Sequence, residues 1–473
     1  MLRQFIYIIF TALLTLCIVL ANHSSAQEKI DAVNCIIRAD NKLVLTHEVM
    51  TNTLSVPGGH LEGQEKNISA VERQTWEETG IVVSAGKMLG TIKNIAFYDC
   101  IPEADIVAFY TTNHFGGYEF PTWFAPEYGT YTASAMLVNP YELNVHEYRF
   151  PAEWNEIKEM FNQATESHLS FTKNMINSTS KTRQAELKWL SSFQNWSNSL
   201  SVSSRDLVVL TAIGLMSLAG PTAKLFLFPF LIWRFGQSFA HRVFFAISIS
   251  SVIVLFAQQT FVLPRPHVYI PVAELFHSSG YSMPSLTTTI WFCILVLLFK
   301  KAGNFGNNRY TWLAALVTFL VMASKFFLAT LFISDIVVSA LLGSLIAWHI
   351  YRLDENTNLN VDTLLISQKV WFLLAGTTLI FTMIWPIPAF KVWLGIFLSA
   401  ALLRIFFRGK HLQLNFRKMI FSIILLVGTS YFLFYLKSLL TFSRFWSEFL
   451  FIIHYPILMC VLMLLASKKD KNI

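Results

Sequence analysis

A group of acidic, basic and amide side chains between residues 57 and 81 has the chemistry needed to handle a diphosphate. On a helix, Glu77 and Glu78 are neighbours, and position 74 lies one turn back on the same face. Carboxylates grouped in this way bind a hard divalent cation, which bridges phosphate oxygens and activates the attacking water. Position 74 holds Gln74, so the group lacks one negative charge and one proton acceptor.

The whole stretch PGGHLEGQEKNISAVERQTWEETGI resembles the signature of the Nudix hydrolase family. The resemblance implies that Arg73 pairs with Glu65 and holds loop and helix in register. It also implies that Glu77 and Glu78 ligate Mg²⁺ or Mn²⁺, and that Gln74 stands where the family has a third carboxylate. The candidate catalytic residues are therefore Glu65, Arg73, Gln74, Glu77 and Glu78. Three other acidic residues are candidates to replace the missing carboxylate: Glu103, Asp105 and Glu119.

Three motifs in the second half of the chain, at 258–267, 280–289 and 324–335, carry groups that suit a bound phosphate. In order and spacing they resemble the three motifs of the type-2 phosphatidic acid phosphatase superfamily. The resemblance implies a site for lipid phosphates or diphosphates at the outer membrane surface. The positions that would form it are Arg265, Ser285, Lys325, which replaces an arginine, and Asp335.

Both catalytic histidines of that superfamily are absent. Leu331 stands at the position of the nucleophile, and Thr287 at the position of the acid. Gln258 also replaces a lysine. Leucine cannot attack phosphorus, and threonine is a poor acid near neutral pH, so the sequence predicts a phosphatase domain without activity.

The composition indicates a membrane protein. Of the 473 residues, 54% are hydrophobic and only 14% are charged, which is typical of chains with many membrane spans. The net charge of +7 comes from Lys and Arg in short loops between apolar segments, a pattern of membrane topology rather than of nucleic-acid binding. Nine apolar segments between residues 207 and 466 predict a cytoplasmic C-terminus and a Nudix-like domain outside the cytoplasm.

The first 26 residues have the features of a secretory signal: Arg3, an apolar core, and a small-residue cleavage site at Ser24-Ser25-Ala26. An uncleaved anchor helix is the alternative, and either one places the next domain outside the cytoplasm. Cys35 and Cys100 both lie in the Nudix-like region. An oxidising compartment would permit a disulfide between them, and two buried free thiols are the other interpretation.

The predicted fold class is a multidomain protein with an α/β Nudix fold (an α/β/α sandwich) and a polytopic all-α transmembrane bundle. Strands are expected around a turn at Asp40-Asn41. The chain resembles bacterial fusions of the two domain types, which implies a multi-pass protein of the bacterial inner membrane. The predicted boundaries are 1–26 for the signal peptide, 27–154 for the Nudix-like domain, 155–204 for a helical linker, 205–352 for the phosphatase-like core and 353–473 for additional transmembrane helices.

Two functions follow from these features. The first is a metal-dependent hydrolase of a nucleoside or prenyl diphosphate, weakened by Gln74 and held at the membrane by an inactive phosphatase-like bundle. The second is a non-catalytic protein that binds diphosphates or lipid phosphates. The expected partners are a small-molecule or lipid diphosphate and membrane lipids, with no nucleic acid.

Overall fold

The computed structural model describes residues 30–270, 278, 280–301, 303, 309–355, 364–365, 367–407, 410–440 and 443–469. The predicted signal peptide, residues 1–26, lies outside them. Within the described residues the chain has an α/β half followed by a helical half, which confirms the predicted multidomain fold class.

The α/β half contains twelve strands and two α-helices among the described residues. The strands form sheets of order β5-β1-β7-β6 and β11-β2-β3-β10-β9, with β4 on β3, and a separate pair of β12 with β8. Their bounds are β1 (Ala32–Ile36), β2 (Arg38–Ala39), β3 (Lys42–Glu48), β4 (Leu54–Ser55), β5 (Gly58–His60), β6 (Val83–Ile92), β7 (Ile95–Pro102), β8 (Ile106–Phe109), β9 (Tyr118–Phe120), β10 (Thr132–Val138), β11 (Glu166–Ser167) and β12 (Leu169–Thr172), and the helices are α1 (Asn67–Thr79) and α2 (Trp154–Gln163).

The turn between β2 and β3 lies where the sequence predicts it. Asp40 and Asn41 have φ angles of 45° and 56°, a left-handed conformation that short polar side chains tolerate. Ala39 therefore pairs with Lys42 across a two-residue hairpin.

The core of this half lies under β1, β7 and α1. Cys35 on β1 and Cys100 on β7 are both fully buried there. They form a disulfide with a Cα–Cα distance of 5.7 Å. Of the two interpretations of these cysteines, a disulfide or two buried free thiols, the structure therefore has the disulfide.

The segment after residue 154 differs from the predicted helical linker 155–204. Helix α2 is present, but it buries Ile157, Met160 and Phe161 in a second core of the α/β half. Strands β11 and β12 then pair with β2 and β8. Residues 154–172 thus pack with the sheets, because α2 has a continuous apolar face. The sequence does not predict β11 and β12, because strands of two and four residues are too short to leave a pattern.

The helical half contains a helix in each of the nine predicted apolar segments. Five helices are long and apolar enough to cross a bilayer among the described residues, and α4 with α5 is a sixth candidate, bent by 46°. The bounds are α3 (Lys181–Ser199), α4 (Val202–Leu218), α5 (Pro221–Phe235), α6 (Gln237–Phe261), α7 (Leu286–Lys301), α8 (Arg309–Phe327), α9 (Ile333–Asp354), α10 (Gln368–Ile384), α11 (Pro388–Phe406), α12 (Phe416–Leu439) and α13 (Arg444–Ala466), with strands β13 (Lys410–Leu412) and β14 (Ser467–Lys469).

Candidate functional site

Helix α1 carries Glu77 and Glu78 of the first motif, and the helix ends at Gly80. Gly80 has a φ of 73° and donates its N–H to the carbonyl of Trp76 at 2.8 Å, the left-handed C-terminal cap for which glycine is preferred. A Cβ at this position would lie 2.3 Å from the ring of Phe124. The glycine is therefore required both by the backbone and by the loop packed on it.

Arg73 connects the loop to the helix, as the sequence predicts. Its Nε and Nη2 donate to the two carboxylate oxygens of Glu65 at 3.0 and 2.8 Å, a bidentate geometry that only the arginine fork allows. Its Nη1 donates to Glu77 at 2.9 Å and approaches Glu62 at 3.2 Å. The hydrogen bond from Arg73 lowers the pKa of Glu65, and the same hydrogen bond raises the pKa of Arg73. Both side chains are thus held in their charged forms.

The remaining residues of the motif meet at the loop that precedes α1. Glu78, with 9% of its surface exposed, accepts a hydrogen bond from the backbone N–H of Gly58 at 3.2 Å. Gln74 is 7% exposed, and a Cβ on Gly59 would lie 2.6 Å from its amide oxygen. With its amide oriented to satisfy both ends, the Gln74 oxygen accepts from Arg73 at 3.0 and 3.3 Å. Position 74 therefore faces the loop and the arginine.

These side chains fit one divalent cation with a reduced set of ligands. Glu77 and Glu78 supply carboxylate oxygens, which a hard cation prefers, whereas Gln74 supplies only a neutral amide oxygen. Within the described part of the chain no group of three or more His, Cys, Asp or Glu side chains is placed to hold a metal ion. The motif residues of α1 therefore offer two carboxylates, Glu77 and Glu78, and no third at position 74.

The structure describes the surroundings of the three candidate replacement carboxylates. Glu103 accepts from Ser84 at 3.3 Å, Glu119 accepts from Asn113 at 2.9 Å, and Asp105 is exposed. The acidic residue that the structure does bring to α1 is Glu127, whose backbone N–H donates to the carbonyl of Glu77 at 2.9 Å. It was missed because its loop, residues 121–131, has no pattern that ties it to the motif.

In the helical half the three phosphatase-like motifs converge on one cavity of about 280 Å³. No histidine is among the described residues that line it, and Leu331 and Thr287 are present at the positions where the pattern has histidines. The motif residues in the lining are Gln258, Arg265, Ser285, Thr287, Lys325 and Leu331.

Backbone and hydroxyl groups fix the two cations of this cavity. Arg265 donates through Nε to the carbonyl of Gly280 at 3.0 Å and through Nη1 to that of Thr330 at 2.9 Å. Lys325, which is buried, donates to the hydroxyl of Thr288 at 3.3 Å. The cavity therefore keeps two basic side chains, the residue types that bind phosphate.

Asp335 is buried but does not line the cavity with the other predicted residues. Its carboxylate pairs with Arg183 of α3 at 3.1 Å, and both side chains are at most 9% exposed. Arg183 also stacks on the ring of Phe332 at 4.5 Å. Glu186, one turn further along α3, accepts from the backbone N–H of Ile333 at 2.8 Å and caps the start of α9. Helix α3 is thus joined to the third motif by two ionised side chains.

A signal for this contact was present in the sequence. Arg183, Glu186, Leu187 and Leu190 are all buried and share one face of α3 at helical spacing. From the sequence alone, a helix that carries Arg183 and Glu186 is interpreted as solvent-exposed. Their partners, Asp335 and the N–H of Ile333, lie about 150 residues further along the chain.

The loop that carries Glu127 also joins the two halves. The ring of Tyr128 lies 5.9 Å from the ring of Tyr281, and a Cβ on Gly129 would lie 2.4 Å from the Cα of Gly280. Gly280 is the residue whose carbonyl binds Arg265. One short loop therefore contacts α1 at one end and the cavity wall at the other.

Comparison with known families finds one family match in each half of the chain. Residues 28–157 match the model of the NUDIX domain, and residues 239–359 match that of the PAP2 superfamily. The chain joins a NUDIX domain to a PAP2 superfamily domain. The predicted resemblance to both families is confirmed.

The NUDIX domain also has a curated relative. A MutT-like protein from Streptomyces ambofaciens is 34% identical over 65 residues, which are 14% of this chain and 42% of that protein. The chain therefore spans less than half the length of this relative.

Several solved structures resemble the first half of the chain at low identity. An ADP-ribose pyrophosphatase from Streptococcus suis is 15% identical and aligns over 30% of this chain and 95% of its own, with a TM-score of 0.22. A MutT protein from Methanosarcina mazei is 16% identical over 28% and 96%, with a TM-score of 0.19. A NUDIX hydrolase from Nitrosomonas europaea is 14% identical over 32% and 82%, with a TM-score of 0.21.

Proposed function

We propose that this protein is a membrane-bound Nudix-type hydrolase that cleaves a diphosphate-linked substrate of the nucleoside or prenyl class on the extracytoplasmic side. The observation that carries the proposal is the intact network of Arg73, Glu65 and Glu77 beside the buried Glu78. Besides joining loop and helix, Arg73 binds Glu77, so this acidic side chain of the motif is held in place on α1 next to Glu78. The PAP2 domain acts as an inactive anchor.

In this mechanism the chain's own residues position the charges. Arg73 holds Glu77 and Glu65, and the N–H of Gly58 orients Glu78. A bound Mg²⁺ or Mn²⁺ would supply positive charge to the diphosphate and acidify the attacking water. Gln74 cannot take up a proton, so the proton must go to one of the carboxylates or to solvent.

Two observations support the extracytoplasmic placement. The disulfide between Cys35 and Cys100 is a feature of oxidising compartments. The loops rich in Lys and Arg alternate with loops poor in them along the apolar helices, which under the positive-inside rule sets the NUDIX domain on the outer side.

A panel of diphosphates incubated with the full-length protein in lipid nanodiscs tests this function. The panel contains nucleoside diphosphate derivatives, dinucleotides and a prenyl diphosphate, each with and without Mg²⁺ or Mn²⁺. We expect metal-dependent release of a phosphate-containing product from one class. The matched blank is Glu78→Gln, which keeps the size of the side chain and removes its charge. Turnover equal to that blank for every compound would refute the proposal.

A second function, binding without catalysis, is supported by the PAP2 cavity. Arg265 and Lys325 face a space of about 280 Å³, and the superfamily's nucleophile position is filled by Leu331. Such a cavity would hold a phosphate or a diphosphate headgroup and leave it intact.

Binding of a labelled prenyl phosphate to the full-length protein tests the second function. We expect Arg265→Gln to weaken binding by about tenfold or more, since a hydrogen bond to a charged group is lost. Arg205→Gln, which removes an exposed arginine outside the cavity, is the matched control. Equal binding by the wild type and Arg265→Gln would exclude this cavity as the binding site.

A further inference from the structure

A second, larger cavity lies elsewhere in the helical half. It measures about 530 Å³ and is bounded by α5 and α6 on one side and by α11 and α13 on the other. Its volume falls in the range of roughly 300–1,000 Å³ that is usual for small-molecule sites. Among the residues that line the two cavities, Leu286 alone is common to both. The larger cavity is therefore a separate space, built partly from the helices that follow the PAP2 match.

Aromatic and aliphatic side chains form most of its wall. Phe228, Phe244, Trp371, Trp393 and Phe451 come from five different helices and face the same space. A hydrocarbon chain would be well accommodated there, because apolar contacts of this kind are favourable per unit of area and need no fixed orientation.

Two cations interrupt this apolar wall. Lys224, in the first turn of α5, and Arg404, in the last turn of α11, both line the cavity. No Asp or Glu is among the lining residues, and neither cation has a carboxylate partner within the described part of the chain. Cations beside an apolar space in a membrane domain are costly without an anion, and they mark functional sites for that reason.

Polar side chains form a rim on part of the cavity wall. Nε2 of Gln237, at the start of α6, is 2.9 Å from Nδ1 of His411, and Oε1 of Gln237 accepts from the backbone N–H of Leu412 at 2.7 Å. Gln237, His411 and Arg404 all line the cavity. The rim thus offers one guanidinium, one imidazole and one amide beside an apolar space.

We propose that this cavity binds a membrane lipid with an anionic, phosphate-bearing headgroup. The headgroup lies at the rim against Arg404, Lys224 adds positive charge along the cavity, and a hydrocarbon chain runs over the aromatic wall. An arginine suits phosphate because its planar fork donates two parallel hydrogen bonds. Under the predicted topology the rim faces the cytoplasmic leaflet, where basic pockets between helices meet anionic lipids. The additional helices α11 and α13 thereby complete a lipid site.

Native mass spectrometry of the full-length protein in mild detergent tests the proposal. The probes are phosphatidylglycerol and phosphatidylethanolamine with the same acyl chains. We expect phosphatidylglycerol to be retained preferentially and Arg404→Gln to reduce the bound fraction by about tenfold, with a smaller loss in Lys224→Gln. Loss of bound lipid in only one of the two variants would also support the site, and it would show which of the two cations binds the headgroup. Ala400→Phe, which fills the cavity and alters no charge, should displace the lipid as well.

Matched variants separate this site from the rest of the molecule. Lys418→Gln removes an exposed positive charge from α12 outside the cavity and should leave the lipid bound. Arg205→Gln, which removes an exposed arginine outside both cavities, should leave it bound too. Excess inorganic phosphate should fail to displace it, because the hydrocarbon chain contributes the apolar contacts. Equal retention of the two lipids, or unchanged retention in both cation variants, would overturn the proposal; thermal unfolding confirms that each variant is folded.

Discussion

At the scale of single residues, we propose that position 74 limits how well the NUDIX site works. Gln74 is buried between Arg73 and the loop at Gly59, so a glutamate of the same shape would fit without rearrangement. That glutamate would add the negative charge that a hard cation requires. The present chain therefore keeps the framework of the site and lacks one of its charges.

We predict that Gln74→Glu raises the metal-dependent rate by roughly tenfold to a hundredfold, the effect of one added charge in transition-state stabilisation. It should also lower the metal concentration needed for half-maximal activity. Initial rates over a Mn²⁺ titration of the full-length protein measure both. Gln163→Glu, the same change at the end of α2, is the control. A rate unchanged by Gln74→Glu would show that position 74 does not limit the reaction.

The Glu65–Arg73 pair gives a prediction about pH. Because Arg73 lowers the pKa of Glu65 in the folded state, the pair stabilises the fold fully above the unfolded pKa of about 4.3. This contribution is lost as the pH falls through the lowered folded value. The difference in unfolding temperature between the wild type and Glu65→Gln should therefore be constant from neutral pH down to about 5 and disappear at lower pH. A difference that grows on acidification would contradict this assignment.

Much of this residue-scale geometry could be predicted from the sequence. The pairing of Arg73 with Glu65 is what the resemblance to the Nudix signature implies, and the structure contains it. The contacts of Glu78 with the Gly58 N–H and of Glu77 with the Glu127 N–H could not be predicted. Both depend on how the loops fold onto α1, and no local pattern records that.

At the scale of elements, the contacts of α3 are the main feature that the structure shows and the sequence does not predict. The sequence predicts a polar helix in a linker. The structure shows that Arg183 and Glu186 attach this helix to Asp335 and to the start of α9. Long-range ion pairs of this kind are not predictable from one chain, because each charge taken alone fits an exposed helix.

The buried Arg183–Asp335 pair should respond differently to one substitution and to two. Removing one partner leaves an uncompensated buried charge, so Arg183→Met should destabilise the protein by about 3–5 kcal/mol. Arg183→Met combined with Asp335→Leu should restore most of the loss, since two apolar side chains can replace a buried pair. Thermal unfolding in detergent measures both, with Lys188→Met on the exposed face of α3 as control. Additive losses in the double variant would show that the two residues do not interact.

The loop of residues 127–129 should couple the two halves. Gly129 has a φ of 72° and leaves no room for a Cβ against Gly280. Gly129→Ala should therefore increase hydrogen exchange in peptides on both sides of this contact, near residue 124 and near residue 281. Gly116→Ala, at a similar φ of 71° with open space around it, is the control and should affect its own turn only. Equal exchange in the second half for both variants would mean that the loop contact does not bind the halves together.

At the scale of the whole molecule, the fold class followed from composition and periodicity. Apolar stretches near the length of a bilayer span predict helices, and each of them is a helix here. The way in which the halves are joined was not predictable. It depends on the loop of residues 127–129 and on the face of α3 that is buried, and these are tertiary features.

The disulfide gives a prediction about the location of the NUDIX domain. Protein extracted from cells in the presence of an alkylating agent should yield Cys35 and Cys100 as one linked peptide, with Cys293 and Cys460 alkylated. Protease added to spheroplasts should cleave the NUDIX domain from outside. Free Cys35 and Cys100 together with protection from protease would place the domain in the cytoplasm, against the proposed topology.

The most direct test of the central claim is the rate of diphosphate hydrolysis by the wild type relative to Glu78→Gln at saturating Mn²⁺. Both proteins are full length, in nanodiscs, and assayed side by side on the substrate class that the panel selects. We expect a slow wild-type rate that lies clearly above the Glu78→Gln blank and vanishes when the metal is chelated. Equal rates for the two proteins, with or without metal, would contradict it and leave binding as the function of both domains.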